Sequence, residues 1–212
     1  MRLGDRVLDL LQPQVMAIIN VTDDSFFEGS RTVDEQSIAS RVREAIASGA
    51  TILDVGGYSS RPGAKELSVD EEWERVRKGL RSIKDVAADA FVSVDTFRSE
   101  VVRRAVEEFG DVIVNDISAG ELDDEMIDVV AKYNLPYIAM HMRGTPQTMQ
   151  SLTEYPNGVV EEVCRYFENK VAELHSRGVS KIILDPGFGF AKTLEQNYEL
   201  LAGLHKLCEL GY

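Results

Sequence analysis

The sequence has few basic residues, no long apolar run and no apolar leader. Nowhere do about 18 apolar residues follow one another, as a membrane-spanning helix requires, and the opening MRLGDRVLDL carries charges where a signal peptide would be apolar. The 212 residues contain 23 Lys and Arg against 36 Asp and Glu, a net charge of -13 that would repel a phosphate backbone. We therefore expect a cytoplasmic protein that binds neither nucleic acid nor membranes.

Cysteine and histidine are also scarce, at two and three residues. Cys164 and Cys208 lie far apart without a CxxC motif, which predicts reduced thiols rather than a disulfide. His141, His175 and His205 never pair at the three- or four-residue spacing that places two metal ligands on one helix face. The sequence therefore does not predict a built-in zinc site.

Several motifs of catalysis and nucleotide binding are missing. The chain has no GxSxG elbow, no Walker A lysine, no HExxH, and no GxGxxG after its first apolar run. Nothing in the sequence indicates covalent catalysis. Any reaction would depend on positioning and electrostatic stabilisation, which suits the displacement of a good leaving group such as pyrophosphate.

Six short apolar runs alternate with six segments of helical periodicity. The runs are VMAIIN (15–20), TILDV (51–55), FVSVD (91–95), VIVND (112–116), PYIAMH (136–141) and KIILD (181–185). The helical segments are 35–48, 69–87, 99–109, 124–133, 158–176 and 194–210. No linker or low-complexity block divides the chain. The pattern predicts one α/β domain over residues 1–212 with a parallel sheet.

Every apolar run ends in a polar residue, which favours a barrel over an open doubly wound sheet. A (β/α)8 TIM barrel assembles its site from the carboxyl ends of many strands. With about six of the eight βα units present, we expect the barrel domain to be incomplete at its C-terminus. The polar strand-end residues are Asn20, Asp54, Asp95, Asn115, Asp116, His141 and Asp185.

These strand-end residues do not all point to chemistry. An isolated Asp or Asn after a strand usually caps a helix or forms a turn, and we interpret Asp54 and Asp116 in this way. His141 is interpreted as a hydrogen-bonded structural residue. Asp185 is different, because the following PGFGF offers glycines for close backbone approach and phenylalanines that can flank a flat ligand.

The remaining polar groups suit a pterin-like or guanine-like ring. The carboxylate of Asp185 could accept two N–H bonds from an amino-pyrimidine edge, and the Asn115 amide offers a donor and an acceptor. Asp95 supplies a second carboxylate that could offset positive charge on the ring. The loop GGYSSRPGAKELS contains Ser60 and Arg61, which could donate to phosphate or carboxylate oxygens.

Read in order, the motifs resemble the dihydropteroate synthase family of folate biosynthesis. They are IINVTDDSF, DVGGYSSRPGA, SVDTFRSEV, VNDISAG, MHMRGTPQTMQ and LDPGFGFAKT. The resemblance implies a pterin-binding TIM barrel and a transferase. The implied reaction joins p-aminobenzoate to 6-hydroxymethyl-7,8-dihydropterin pyrophosphate with Mg²⁺ as cofactor. A homodimer is implied for the full-length protein.

The resemblance also implies roles for individual residues. Asp95, Asp24 and Arg61 match catalytic positions, and Asn20 matches the position nearest the metal. Three departures stand out: Asp23 replaces a usual proline, Tyr58 replaces a common glutamate, and the family's C-terminal lysine, arginine and histidine have no counterpart. The positions that match substrate-binding residues are Asn20, Ser60, Asp95, Asn115, Met140, Asp185 and Phe190.

Two alternatives stay open. A pterin-binding barrel of another activity, such as a methyltetrahydrofolate corrinoid methyltransferase, would share VND and the strand-end carboxylates. It should lack the pairing of GGYSSRPGA with DPGFGFAK. The second alternative is a non-catalytic fragment that binds a pterin or a partner chain without turnover, and the missing C-terminal units favour it.

Overall fold

Parallel strands alternate with helices along most of the chain. In a computed structural model, residues 1–21, 31–59 and 66–212 are described. The strands are β1 (Arg2–Leu3), β2 (Arg6–Val7), β3 (Met16–Asn20), β4 (Ile52–Gly56), β5 (Phe91–Asp95), β6 (Ile113–Asp116), β7 (Tyr137–Met140) and β8 (Ile182–Asp185). The helices are α1 (Arg31–Ala47), α2 (Val69–Val86), α3 (Ser99–Phe109), α4 (Met126–Lys132), α5 (Val159–Ser176), α6 (Leu194–Ala202) and α7 (Leu204–Cys208).

The six long strands form one parallel sheet in the order β3-β4-β5-β6-β7-β8. Each strand pairs with the next strand in sequence, which is the strand order of a (β/α) barrel rather than that of a doubly wound sheet. The α/β barrel fold predicted from the sequence is therefore confirmed. Among the described strands, β3 and β8 form the two edges of the sheet.

A short hairpin closes the amino-terminal end of this sheet and was not predicted. Strands β1 and β2 pair antiparallel. Leu3 and Leu8 are buried in one cluster with Ile52, Ile113 and Ile138 from the sheet. Two strands of two residues are too short to show a period-2 pattern, so nothing in the sequence separated them from a loop.

The sheet register separates an apolar face from a polar interior. Leu53 and Val55 of β4 pack in one cluster with Val76 and Leu80 of α2. Because side chains alternate along a strand, Asp54 points to the opposite face. Its register partner on β5 is Ser93, and Gly56 pairs with Asp95 in the same way. Polar side chains near the carboxyl ends of the strands therefore face the barrel interior.

The last predicted helix, 194–210, is wrong as a single element. It is divided into α6 and α7 at Gly203, which lies against Val160 of α5. A Cβ at Gly203 would lie 2.7 Å from a methyl carbon of Val160, so a larger residue would push the two helices apart.

The interpretation of Asp116 as a turn residue is confirmed by its hydrogen bonds. Its Oδ1 accepts hydrogen bonds from the Ser118 amide at 2.8 Å and the Ser118 hydroxyl at 2.7 Å. Its Oδ2 accepts from the Gly120 amide at 2.8 Å and from the Tyr137 hydroxyl at 2.7 Å. Burial raises the pKa of Asp116, and these four donors oppose that rise.

Replacing Tyr137 by phenylalanine should destabilise the fold by about 1–3 kcal/mol, because it removes a donor from a fully buried carboxylate. Denaturant unfolding measures this change. The control is Tyr198→Phe, at a side chain that is 66% exposed. Equal unfolding free energies for the two variants would contradict a stabilising role of the Tyr137 hydroxyl.

Candidate active site

Asn20, Gly56 and Asp95 meet at the carboxyl ends of the first three parallel strands. A Cβ placed on Gly56 would lie 3.2 Å from Asn20 Oδ1 and 3.2 Å from Asp95 Oδ2. The glycine therefore leaves space between an amide oxygen and a carboxylate oxygen that reach it from either side. Asn20 is exposed and Asp95 is partly buried.

One layer deeper lie the buried side chains of Asp54 and Ser93, and the partly buried Asn115 contacts Asp54. The Asn115 amide donates to Asp54 Oδ2 at 3.1 Å. Among the described residues, no hydrogen-bond partner reaches Asp54 Oδ1 or Ser93 Oγ, although both atoms are buried. Asp54 thus belongs to the interior site, and the sequence interpretation of it as a turn residue does not hold. A buried polar atom without a protein partner requires an explanation, and a bound ligand or water is one.

Asp185 is held by the turn that follows it. Its Oδ1 accepts a hydrogen bond from the Gly187 amide at 2.8 Å. Gly187 has a φ of +68°, and a Cβ there would collide with the His141 carbonyl oxygen, so only glycine fits. The register places Asp185 beside Met140, the last residue of β7.

An apolar wall lies next to this carboxylate. Met140 is buried with Ile117, Met142 and Met149, and Phe190 packs on the edge of this cluster. The structure therefore brings Met140 and Phe190 together, as the resemblance requires of residues that line a flat ligand.

Burial raises the pKa of each interior carboxyl group. The effect is largest at Asp95, where burial acts first and repulsion from Asp54, Glu72 and Asp116 adds to it. At Asp54, burial also raises the pKa and repulsion from Asp185 adds to it, whereas the neighbouring Ser93 hydroxyl and the Asn115 amide oppose the rise. At Asp185, burial again comes first, opposed by the Gly187 amide and the Lys192 ammonium. A ligand with N–H donors or a positive charge would relieve this crowding of acceptors.

A buried ion pair beside the site was not predicted. Glu72 of α2 is fully buried and accepts hydrogen bonds from the Thr96 hydroxyl at 2.5 Å and from Arg98 Nη1 at 2.9 Å. Arg98 Nη2 donates to the Leu67 carbonyl at 2.7 Å, which ties the residues before α2 to the end of β5. A Glu in the first turn of a helix is normally interpreted as an exposed residue that favours the helix dipole, so the sequence carried no signal of this contact.

Several predicted positions cannot be placed. Asp24, Ser60 and Arg61 lie outside the described residues, as does Asp23. Tyr58 is described: its ring packs edge-on against Phe97, with 5.1 Å between ring centroids.

Within the described ranges, no three or more His, Cys, Asp and Glu side chains come together as a metal site. No helix in that part of the chain is long and apolar enough to span a membrane. Cys164 and Cys208 both carry free thiols.

Replacing Gly56 by alanine should disturb the site more than the fold. The new methyl group would press on Asn20 Oδ1 and Asp95 Oδ2 at 3.2 Å, closer than ordinary van der Waals contact. We expect ligand binding or turnover to fall about tenfold, because displacements of this size misplace reacting groups. Thermal unfolding serves as the folding control. Full activity in a folded Gly56→Ala variant would show that the two oxygens do not act at this position.

The comparisons with known proteins agree with this geometry. Residues 16–212 match the family model described as pterin binding enzyme. The chain is 41% identical over 200 residues to a dihydropteroate synthase of Synechocystis sp., covering 93% of this chain and 68% of that protein. It is also 41% identical over 194 residues to the folic acid synthesis protein fol1 of Schizosaccharomyces pombe, covering 91% of this chain. The chain spans only 26% of the length of that relative.

Two solved structures show the same fold. The dihydropteroate synthase of Xanthomonas albilineans with 4-aminobenzoic acid aligns with a TM-score of 0.83 and 36% identity, over 94% of this chain and 70% of that chain. The same organism's enzyme in complex with 7,8-dihydropteroate aligns with a TM-score of 0.82 and 33% identity, over 98% of this chain and 73% of that chain.

Proposed function

Because the chain belongs to the dihydropteroate synthase family of pterin-binding enzymes, we propose that it provides most of an active site for dihydropteroate synthesis. The full-length protein would join p-aminobenzoate to 6-hydroxymethyl-7,8-dihydropterin pyrophosphate, giving 7,8-dihydropteroate and pyrophosphate. One observation carries the proposal. Asp54, Asp95, Asn115 and Asp185 come from four strands to one end of the barrel, and Asp54 Oδ1 has no partner among the described residues.

The pterin ring suits this set of acceptors. Its amino-pyrimidine edge presents N–H donors, which Asp185 and the unpartnered oxygen of Asp54 can accept. The Asn115 amide can turn a donor and an acceptor to the same edge. Met140 and Phe190 supply the apolar surface that a flat ring needs. Relatives whose titles name 4-aminobenzoic acid and 7,8-dihydropteroate support these substrates.

The reaction requires stabilisation of positive charge. As the C–O bond to pyrophosphate breaks, the exocyclic methylene and the ring become cationic; the arylamine nitrogen then forms the new C–N bond and releases a proton. The carboxylate of Asp95 is placed to stabilise this cation. Because burial and neighbouring carboxylates raise the pKa of Asp95, a nearby cation would interact strongly with its ionised form.

We also propose Mg²⁺ as the cofactor. Mg²⁺ prefers oxygen ligands and is usually held by one or two protein groups together with substrate phosphates and water. Asn20 Oδ1 and Asp95 Oδ2, which flank Gly56, are oxygens of the right type, with Asn20 as the proposed metal ligand. When bound, Mg²⁺ would neutralise charge on the departing pyrophosphate.

The remaining sequence expectations belong to the same proposal. Asp24 and Arg61 are proposed as catalytic residues and Ser60 as a substrate contact, on the motif resemblance alone. A cytoplasmic location and a homodimer of the full-length protein are proposed on the charge pattern and the resemblance, respectively.

The test is product formation by the full-length protein. The protein is given 6-hydroxymethyl-7,8-dihydropterin pyrophosphate and p-aminobenzoate, with Mg²⁺ or with EDTA. The dihydropteroate formed is measured by mass spectrometry. We expect product only when both substrates and Mg²⁺ are present. If folded protein forms none under any condition, the proposal is wrong. Methyl transfer from methyltetrahydrofolate to a corrinoid would then identify the methyltransferase alternative.

A further inference from the structure

Lys192 is a buried lysine with a complete set of hydrogen-bond acceptors. Its side chain is only 4% exposed. Its Nζ lies 3.0 Å from His141 Nδ1, 2.9 Å from the Gly187 carbonyl oxygen and 2.9 Å from the Phe190 carbonyl oxygen. The His141 carbonyl oxygen lies farther away, at 3.5 Å. An ammonium group has three N–H donors, so each of the three nearer acceptors can take one.

The three acceptors join two different strand ends. His141 directly follows β7, whereas Gly187 and Phe190 belong to the turn after β8. This turn contains left-handed backbone at Gly187, Gly189 and Ala191, with φ values of +68°, +84° and +53°. Such a turn needs contacts that hold it, because a non-glycine residue in this region is strained. Lys192 provides them from the inside of the turn.

The turn after β8 also orients Asp185. Gly187 accepts from Lys192 through its carbonyl and donates through its amide to Asp185 Oδ1 at 2.8 Å. The Lys192 ammonium and the Asp185 carboxylate therefore bind the same residue, Gly187, from its two sides. Its positive charge also opposes the rise that burial causes in the pKa of Asp185.

His141 is fixed by the same ammonium group. The ring is 2% exposed and packs edge-on against Tyr166, with 4.9 Å between ring centroids. Burial, followed by repulsion from Lys192 and Arg143, lowers the pKa of His141 to about 3. A neutral ring that accepts at Nδ1 carries its proton on Nε2. Burial lowers the pKa of Lys192 to about 8, opposed by Asp185, so the ammonium form prevails at neutral pH.

We propose that Lys192 is a positioning residue for the pterin site, which holds the Gly187–Phe190 turn against His141 and thereby aims the carboxylate of Asp185 at the ligand. The inference rests on the proposed function. It goes beyond that function because it states that ligand affinity depends on a residue that does not itself contact the ring.

Lys192→Met in the full-length protein tests the inference, since methionine keeps most of the volume and removes the charge and the three donors. Calorimetry with 6-hydroxymethyl-7,8-dihydropterin pyrophosphate should give a Kd at least tenfold weaker, with KM rising more than kcat falls. The matched control is Lys170→Met. Lys170 is also buried, at 8% exposure, but pairs with Glu121 of the segment between β6 and α4 and with Glu173 of α5.

Nitrogen NMR of the wild-type protein gives a second readout that does not depend on a folded variant. The chain has only three histidines, so the His141 ring can be assigned. We expect the Nε2–H tautomer at neutral pH, and a shift of the Nδ1 signal when the pterin ligand binds, with His175 and His205 unmoved. In a folded Lys192→Met variant the Nδ1 signal should move before any ligand is added.

The outcomes separate the two proposals. Failure of the wild-type protein to bind the ligand overturns the proposed function and this inference with it. Ligand binding by the wild type with an unmoved His141 signal, or with equal Kd values for wild type, Lys192→Met and Lys170→Met, overturns the inference alone. Weaker binding by Lys192→Met only, together with the His141 shift, supports it.

Discussion

Asp185→Asn is expected to weaken binding of 6-hydroxymethyl-7,8-dihydropterin pyrophosphate by about 100-fold, or about 3 kcal/mol. The substitution removes a charge and replaces one acceptor oxygen by an amide that presents N–H donors to a donor edge. It leaves the volume unchanged. Isothermal titration calorimetry on the full-length protein measures the loss.

The control for this experiment is Asp89→Asn. Asp89 is an exposed residue just before β5, at the opposite end of the sheet from the site. We expect its variant to bind as the wild type does. Unchanged affinity in Asp185→Asn would remove Asp185 from the site and with it the main contact proposed for the ring.

Asp95→Asn should affect turnover more than binding. The proposed work of this carboxylate is to stabilise a cation that exists only during the reaction, so kcat should fall about 100- to 1,000-fold. Binding of the dihydropterin pyrophosphate, whose ring is not yet cationic, should weaken by less than about tenfold. Equal losses in kcat and in ligand affinity would contradict a role in the transition state.

The same variant should be more stable than the wild type. Burial and the charges of Asp54, Glu72 and Asp116 raise the pKa of Asp95 in the fold. When a carboxyl group has a higher pKa in the folded state than in the unfolded state, the protein loses stability as the pH rises from the unfolded pKa through the folded pKa. At a pH above its unfolded pKa, this group therefore opposes folding.

Asparagine removes this unfavourable charge without changing the side-chain volume. We expect a gain of about 0.5–2 kcal/mol in the unfolding free energy, or a few degrees in Tm, as is common when a functional residue is neutralised. Guanidinium unfolding at pH 7 measures it. A lower stability for Asp95→Asn would show that the Asp95 carboxylate stabilises the fold, and that repulsion from the neighbouring carboxylates does not dominate.

The parallel strands could be predicted closely because both faces of such strands are buried. Runs such as FVSVD are rich in apolar residues, and this one agrees with β5 at both ends. Helix α3 was predicted with the same accuracy, since its periodicity ends at Gly110. The hairpin of β1 and β2 and the break at Gly203 depend on contacts with Ile113 and Val160, which no local pattern records.

The site followed from the sequence only in part. Strand ends meet at one edge of a parallel barrel, which predicted the convergence of Asp95, Asn115 and Asp185 that the structure shows. Asp54 was interpreted as a turn residue, since whether it faces inward depends on the register with Ser93, which the sequence does not specify. Lys192 was overlooked because its partners come from residues that are distant in sequence, such as His141.

The most direct test of the account is a crystal structure of the full-length protein soaked with 6-hydroxymethylpterin. We predict that the amino-pyrimidine edge lies within hydrogen-bonding distance of Asp185 and Asn115, with the ring packed against Met140 and the exocyclic carbon turned toward Asp95 and Asn20. A ring bound elsewhere, with these four polar side chains facing only water, would contradict the central claim that the carboxylates at the strand ends form a pterin site.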